Sequence, residues 1–196
     1  MDDNSLELVL ALQQGDSTAF EKLFEMYKVK AIRTAYLMTN NKALAEDICQ
    51  EAFVQCYLKI GDLKNPNQFK TWFYRTLTRI TWKMYSKEKG FVPVENIFEM
   101  AECNDTGQVE IDFIKKETSK KVMRAINALE EKQKTTALLY YYNDFSVAEI
   151  ASIMGCFQGT VKSRLHAARK NLKNSLAIEE KFDEEGVKNG VIYKVR

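Results

Sequence analysis

The side chains best suited to chemistry in this sequence are basic and hydroxyl groups that recur along a stretch near its C-terminal end. No Asp or Glu occurs between Gly155 and Ile178, whereas Lys and Arg are frequent there. On one face of a helix, such groups suit the DNA major groove, because cations pair with phosphates and Lys or Arg donates to base edges. The outward side chains are predicted to be Thr160, Lys162, Ser163, Arg164, His166, Arg169, Lys170 and Lys173.

Two helices joined by a tight turn are predicted to position this face. Ser146 followed by Glu149 predicts a capping box at the start of a short helix, and Gly155 can adopt the positive φ that ends it. An apolar stripe with helical spacing follows, formed by Val161, Leu165, Ala168 and Leu172. The pattern is typical of a helix-turn-helix that reads DNA. The alternative is a solvated basic helix in an ordinary bundle.

A second basic stretch follows Pro66, which predicts the first turn of a helix that runs to about Lys87. Cations that follow phosphates, beside an aromatic ring that stacks on a base, suit single-stranded nucleic acid. Trp82 could equally lie at the edge of the core, and periodicity alone leaves both interpretations open. The outward stripe is Thr71, Arg75, Thr78, Arg79, Trp82 and Ser86, with Lys83 and Lys87 beside it.

Composition and periodicity predict an all-α protein of two small domains. The chain has 196 residues and a formal net charge of +2, and its two prolines lie outside the strong helical patterns. The acidic, weakly periodic segment 91–118 divides the basic stretches and predicts an extended linker. The sequence becomes charged and irregular after Ser175. Helices are predicted over 5–14, 42–60, 66–87, 119–129 and 132–142, followed by the helix-turn-helix. Between the first two of these, a long helix is predicted that Asp16 or Ser17 caps and that Asn40-Asn41 breaks.

Several classes of function find no support in the sequence. The four cysteines show no CxxC spacing and there is a single histidine, so we expect reduced thiols, no metal site and no cofactor. No obvious catalytic constellation is present, which argues against an enzyme. No apolar run is long enough to span a bilayer, and the N-terminus is unlike a secretory signal, so a cytoplasmic protein without an integral membrane segment is expected.

Three blocks of the chain resemble the extracytoplasmic-function (ECF) class of bacterial RNA polymerase sigma factors. ALAEDICQEAFVQCY, Ala43 to Tyr57, is similar to the family's helix that binds core polymerase. FKTWFYRTLTR, Phe69 to Arg79, is similar to its helix for the promoter −10 element. EIASIMGCFQGTVKSRLHAARKNL, Glu149 to Leu172, is similar to its −35-reading helix-turn-helix. In order and spacing these blocks cover most of the chain from Asp16 to Lys173.

The resemblance implies a non-catalytic promoter-specificity subunit. It implies a sigma2-like bundle over residues 1–90, a linker over 91–118, a sigma4-like four-helix domain over 119–176 and a C-terminal tail over 177–196. The implied partners are core RNA polymerase, through its β′ clamp helices and β flap, promoter DNA, and an anti-sigma factor. The linker would thread toward the active-site channel of the polymerase.

Family motifs also imply a role for individual residues. Polymerase contacts are expected at Asp47, Gln50, Glu51 and Phe53. Contacts with the −10 element, including a flipped base held by the Leu63 to Asn67 loop, are expected at Leu63, Lys64, Asn65, Asn67, Arg75, Arg79, Trp82 and Lys83. Contacts with the −35 element are expected at Thr160, Lys162, Ser163, Arg164, His166, Arg169 and Lys170.

Departures from the family pattern leave the promoter sequence unpredicted. Arg79, Lys83 and Ala167 differ from residues common in relatives, and Phe157 stands where a proline is frequent. A stand-alone helix-turn-helix regulator that binds duplex DNA without polymerase is the alternative function. It explains the stretch from Ser146 to Lys173 but leaves the block from Ala43 to Tyr57 without a role.

Overall fold

The computed structural model describes residues 3–88 and 120–188, with side chains over 5–87 and 120–177. Both ranges are helical and neither contains a strand, so the all-α prediction is confirmed. The predicted linker lies outside the described residues. The helices are α1 Asp3–Gln13, α2 Ser17–Thr39, α3 Lys42–Lys59, α4 Phe69–Glu88, α5 over 120–127, α6 Glu131–Ala137, α7 Val147–Met154 and α8 Gln158–Lys188.

Short polar residues set the boundaries of the N-terminal helices. The Asp16 side chain accepts a hydrogen bond from the backbone N–H of Thr18 at 2.9 Å and so caps α2. Asn40, with φ 56°, ends the same helix in the left-handed conformation. Asn41 then caps α3 by accepting from the backbone N–H of Leu44 at 3.1 Å. Two adjacent asparagines therefore make the corner between α2 and α3.

Helices α1 to α4 form a bundle around an aromatic cluster. Phe53 of α3 lies at its centre, with ring centroids 4.8 Å from both Phe24 and Phe73. Tyr27 meets Phe69 edge-on at 5.4 Å. Each ring buries a large apolar area, and edge-to-face pairs add roughly 0.5–1.5 kcal/mol beyond that burial. This cluster fixes α4 against α2 and α3.

The C-terminal bundle contains the predicted helix-turn-helix. Ser146 and Glu149 form the complete capping box at the start of α7, and Gly155 ends that helix with φ 62°. Val161 and Leu165 of α8 are buried against α7. The helix predicted over 132–142 is α-helical only to Ala137 and continues as a π turn, Leu138–Tyr142.

Helix α8 is longer than predicted. It runs to Lys188, so the prediction that the chain becomes irregular after Ser175 is wrong. Eight of the 13 residues from Leu176 to Lys188 are Leu, Ala, Glu or Lys, which are strong helix formers, and their high charge obscured that propensity.

The two bundles pack directly against each other. Helix α4 lies along α7, and α2 touches the π turn. The ring of Phe145, just before α7, meets that of Tyr74 in α4 at 5.1 Å. One apolar cluster therefore runs through both bundles. We call this contact the domain seam: the α4 face of Lys70, Thr71, Tyr74, Arg75, Thr78 and Trp82 against Thr135, Asn143, Phe145, Glu149 and Ser152.

Candidate nucleic-acid interface

The basic face of α8 is open to solvent. Lys162, Ser163, His166 and Lys170 are exposed, as is Lys173. The opposite side of the helix is buried through its apolar stripe, which fixes the direction in which these groups point. The structure therefore brings together on one surface most of the residues predicted to contact the −35 element.

Two arginines of α8 are held by neighbouring side chains. Arg164 is half-buried and directs Nη1 toward the Cys156 sulfur at 3.7 Å. The exposed Arg169 donates from Nε to the hydroxyl of Tyr141, and its guanidinium carbon lies 5.8 Å from the centroid of that ring. Tyr141 belongs to the π turn, so an irregularity that the sequence did not predict positions a predicted DNA-binding side chain.

The stripe predicted for the −10 element lies mainly in the domain seam. Arg75 donates from Nε and Nη2 to the backbone oxygen of Ser152 at 2.9 and 2.6 Å, and from Nη2 to its hydroxyl at 2.7 Å. Trp82 is half-buried and donates from Nε1 to Thr135 Oγ1 at 3.3 Å. In this conformation Trp82 therefore lies at the edge of the core, which is one of the two interpretations that the sequence left open. Arg79 and Lys83 remain exposed.

Buried polar groups that the sequence did not indicate reinforce the seam. Asn143 is fully buried and donates from Nδ2 to Thr34 Oγ1 at 2.9 Å, while Lys70 Nζ donates to its backbone oxygen at 3.1 Å. Lys134, only 7% exposed, donates from Nζ to the Met38 oxygen at 3.3 Å near the C-terminal end of α2. A cation there is favoured by the helix dipole.

The seam also contains a polar atom without a partner. Among the described residues, Thr78 Oγ1 is buried and makes no hydrogen bond. An unsatisfied buried polar atom costs roughly 1–3 kcal/mol, a penalty that water removes when the surfaces separate. Burial also raises the pKa of Tyr74 above its ordinary value, although the side chains of Thr34 and Asn143 hydrogen-bond its hydroxyl. The seam thus combines specific hydrogen bonds with one group that favours its opening.

The loop predicted to hold a −10 base is anchored from α1. Gln13 Nε2 donates to the backbone oxygens of Ile60 and Leu63 at 2.9 and 2.8 Å. The loop starts and ends in 3-10 turns, Ile60–Asp62 and Pro66–Gln68. Lys64, Asn65 and Asn67 are exposed. Leu63 is buried, so in this structure it packs inward and cannot contact DNA through its side chain.

The outer face of α3 carries the predicted polymerase contacts, with one correction. Asp47, Gln50 and Glu51 are exposed side by side, but Phe53 is 3% exposed at the centre of the aromatic cluster. Phe53 therefore supports this face from beneath. Exposed apolar side chains extend the same face toward the C-terminal end of α3 at positions that were not predicted, namely Val54, Tyr57 and Leu58.

Two of the described cysteines, Cys49 and Cys56, are buried and show no sign of reactivity. Burial raises the pKa of Cys49 and of Cys56 to about 12, which keeps both as neutral thiols. Within residues 3–88 and 120–188 no group of three or more His, Cys, Asp or Glu side chains could hold a metal ion. In the same ranges no helix is long and apolar enough to cross a membrane.

Comparisons with known proteins identify the family of this chain. The family model for Sigma-70 region 2 matches residues 23–90, and that for Sigma-70 region 4 matches residues 119–172. The ECF RNA polymerase sigma factor SigW of Bacillus subtilis is 31% identical over 173 residues, which cover 84% of this chain and 92% of that protein. The chain belongs to the ECF sigma factors.

Further relatives and solved structures agree. The ECF RNA polymerase sigma-E factor of Haemophilus influenzae is 32% identical over 180 residues, covering 86% of this sigma factor and 93% of that one. CnrH, solved with the cytosolic domain of CnrY, has the same fold, with a TM-score of 0.67, 19% identity and coverage of 90% and 99%. RpoE of Bartonella quintana, solved with the anti-sigma factor NepR, has a TM-score of 0.64 and 20% sequence identity. The match covers 81% of this chain and 97% of that one.

Family membership establishes the function predicted from the sequence, that of an RNA polymerase sigma factor in transcription initiation. The match to region 2 also decides against the stand-alone regulator, which left the N-terminal blocks of this sigma factor without a role.

Proposed function

We propose that this sigma factor engages the −35 element through the exposed basic face of α8. The observation that carries the proposal is the uninterrupted basic surface on the second helix of a helix-turn-helix. Lys162, Ser163, Arg164 and His166 approach base edges in the major groove, where one good bidentate contact discriminates by roughly 1–3 kcal/mol. Thr160, Arg169 and Lys170 meet phosphates and set the register.

The N-terminal bundle supplies the −10 and polymerase contacts of the proposal. Lys64, Asn65 and Asn67 capture an extruded base in the loop that Gln13 anchors. Asp47, Gln50 and Glu51 bind the β′ clamp helices, and the adjoining apolar side chains of α3 enlarge that contact. The functional domains are residues 1–90 and 119–176, joined by the linker 91–118 and followed by the tail 177–196.

A second polymerase contact is proposed in the C-terminal bundle. A cavity of about 310 Å³ opens between α5, α6, α8 and the end of α2. Its walls are almost entirely apolar, which suits an apolar segment such as the polymerase β flap. Side chains that line it include Leu37, Val122, Ile126, Leu138, Tyr141 and Leu172.

The domain seam makes the described conformation a closed state. Arg75 and Trp82 cannot reach a −10 strand while they donate to Ser152 and Thr135. We propose that the two bundles separate when the sigma factor joins core polymerase, and that hydration of Thr78 favours this opening. The similar RpoE of Bartonella quintana is solved in complex with an anti-sigma factor, and a partner of that kind that holds the two bundles together would oppose the opening.

The proposal places the protein in the cytoplasm as a non-catalytic subunit. Its test is transcription reconstituted from core polymerase, this protein and a library of promoter fragments. We expect run-off RNA from a discrete subset of fragments, and its loss when Asp47→Ala is combined with Glu51→Ala. The matched control removes two exposed carboxylates elsewhere, Glu7→Ala with Glu21→Ala, and should retain activity. Equal activity of the two double variants would contradict the assignment of the α3 face.

A further inference from the structure

An aromatic side chain in the turn of the helix-turn-helix stands apart from the rest of the surface. Phe157 is 86% exposed, more than any other exposed large hydrophobic side chain in the described residues. The next is Leu58 at 68%, which lies among other exposed apolar groups on α3. Phe157 instead lies between Cys156 and Gln158, at the beginning of the basic helix. A single large ring fully in water at this place calls for a ligand.

The ring also occupies a position where it weakens the helix. The Phe157 backbone oxygen accepts the first intrahelical bond, from the N–H of Val161 at 3.2 Å, so Phe157 is the N-cap of α8. A phenyl ring cannot accept the hydrogen bonds of the first N–H groups, as Ser, Thr, Asp or Asn would. The residue at this position therefore does not serve the stability of α8.

The neighbourhood of the ring identifies the ligand as duplex DNA. The N-terminal residues of a recognition helix are the ones that reach base edges in the major groove. Lys162 and Ser163 are exposed one turn further along. In the major groove, the one apolar group on the base edges is the 5-methyl group of thymine, and phenylalanine is a recognised partner for it.

We propose that Phe157 is a specificity-determining residue that packs on a thymine methyl group in the −35 element. The inference rests on the proposed role of α8 and adds a base preference to it. The predicted contacts of α8 are polar or charged and read hydrogen-bond patterns, whereas Phe157 distinguishes thymine by shape and apolar surface alone.

Deoxyuridine, which lacks only the 5-methyl group, provides the test. A −35 duplex is first selected from a randomised pool by the full-length protein, and each thymine is then replaced singly by deoxyuridine. We expect one replacement to weaken binding by the wild type about fourfold, as the loss of one buried methyl group predicts. In Phe157→Ser the same deoxyuridine replacement should leave the affinity unchanged. In Phe157→Leu it should weaken binding, but by less than in the wild type.

Thermal unfolding separates this effect from damage to the fold. Serine is a good N-cap, so Phe157→Ser should raise the melting temperature by about 2–4 °C while it abolishes the methyl preference. Wild-type binding that is insensitive to every deoxyuridine replacement would overturn the proposal, as would a penalty that persists undiminished in Phe157→Ser. Failure of the wild type to bind any duplex in the pool would instead count against the −35 role of α8.

Discussion

The basic faces of α8 and α4 have similar sequence signatures and different surroundings. Both helices combine Lys, Arg and hydroxyl groups on one side with an apolar stripe on the other. On α8 that side is open to solvent, whereas on α4 Arg75 and Trp82 donate hydrogen bonds to the opposite domain. A basic stripe therefore identifies a surface that can bind, but tertiary packing decides whether it is available in a given conformation.

The difference fits the order of events that we propose. An open α8 face allows an encounter with duplex DNA, which is electrostatically steered. The covered part of the α4 face keeps the single-strand contacts of Arg75 and Trp82 hidden until polymerase separates the domains. The unpartnered hydroxyl of Thr78 limits the stability of the closed state, since it is hydrated once the seam opens.

The largest effect is expected from the open face. Combining Lys162→Ala with Lys170→Ala should lower the affinity of the protein for a selected −35 duplex about tenfold or more, because two phosphate or base contacts are lost. The slope of log affinity against log salt should fall by about 2. Fluorescence anisotropy over a salt series measures both quantities. The matched control is Lys42→Ala combined with Lys59→Ala, on α3. An equal loss of affinity in this control would indicate that lysines attract the duplex non-specifically.

A charge placed in the seam should have the next largest effect. Ser152→Arg sets a cation opposite Arg75 and displaces the hydroxyl that accepts its hydrogen bond. The closed state should weaken, and association with core polymerase, followed by stopped-flow fluorescence, should become up to about tenfold faster. Ser152→Ala keeps the backbone oxygen to which Arg75 also donates, so a much smaller change is expected. Identical rates for Ser152→Arg and the wild type would mean that the seam does not gate assembly.

Removal of one unpartnered hydroxyl should act in the opposite direction. Thr78→Val replaces a buried unsatisfied hydroxyl by a methyl group of similar size, and should stabilise the seam by about 1 kcal/mol, slowing association severalfold. Because burial raises the pKa of Tyr74, the closed state of the wild type should lose stability as the pH rises above about 10, the ordinary value of the group. That pH dependence should be smaller in Tyr74→Phe, and a steeper one would contradict this account.

A smaller effect is expected at the −10 loop. Gln13→Ala removes both hydrogen bonds that anchor the backbone at Ile60 and Leu63. Promoter melting, followed by 2-aminopurine fluorescence in the −10 element, should slow a few-fold, because the loop must be ordered as it captures the base. Affinity for core polymerase should stay unchanged. A loss of that affinity would place the role of Gln13 in the stability of the whole bundle.

Local chemistry made much of the fold predictable. The Asn40–Asn41 corner, the capping box of Ser146 and the left-handed Gly155 follow from backbone propensities over a few residues. The contacts between the two bundles could not be predicted in this way, since Asn143 and Lys134 bond to residues of α2 that are distant in sequence. Phe53 shows a related limit, because an aromatic residue within a binding motif can serve that motif from the core.

The most direct test of the closed state is a distance measured in solution across the two bundles. Donor and acceptor dyes on Lys42→Cys and Asn174→Cys, both exposed, report it by energy transfer after Cys103 and Cys156 are replaced by serine. Cys49 and Cys56 can stay, because burial and a pKa of about 12 keep them from being labelled. We predict high transfer in the free protein and a clear fall when core polymerase is added. Unchanged transfer in a complex that initiates transcription would contradict domain separation.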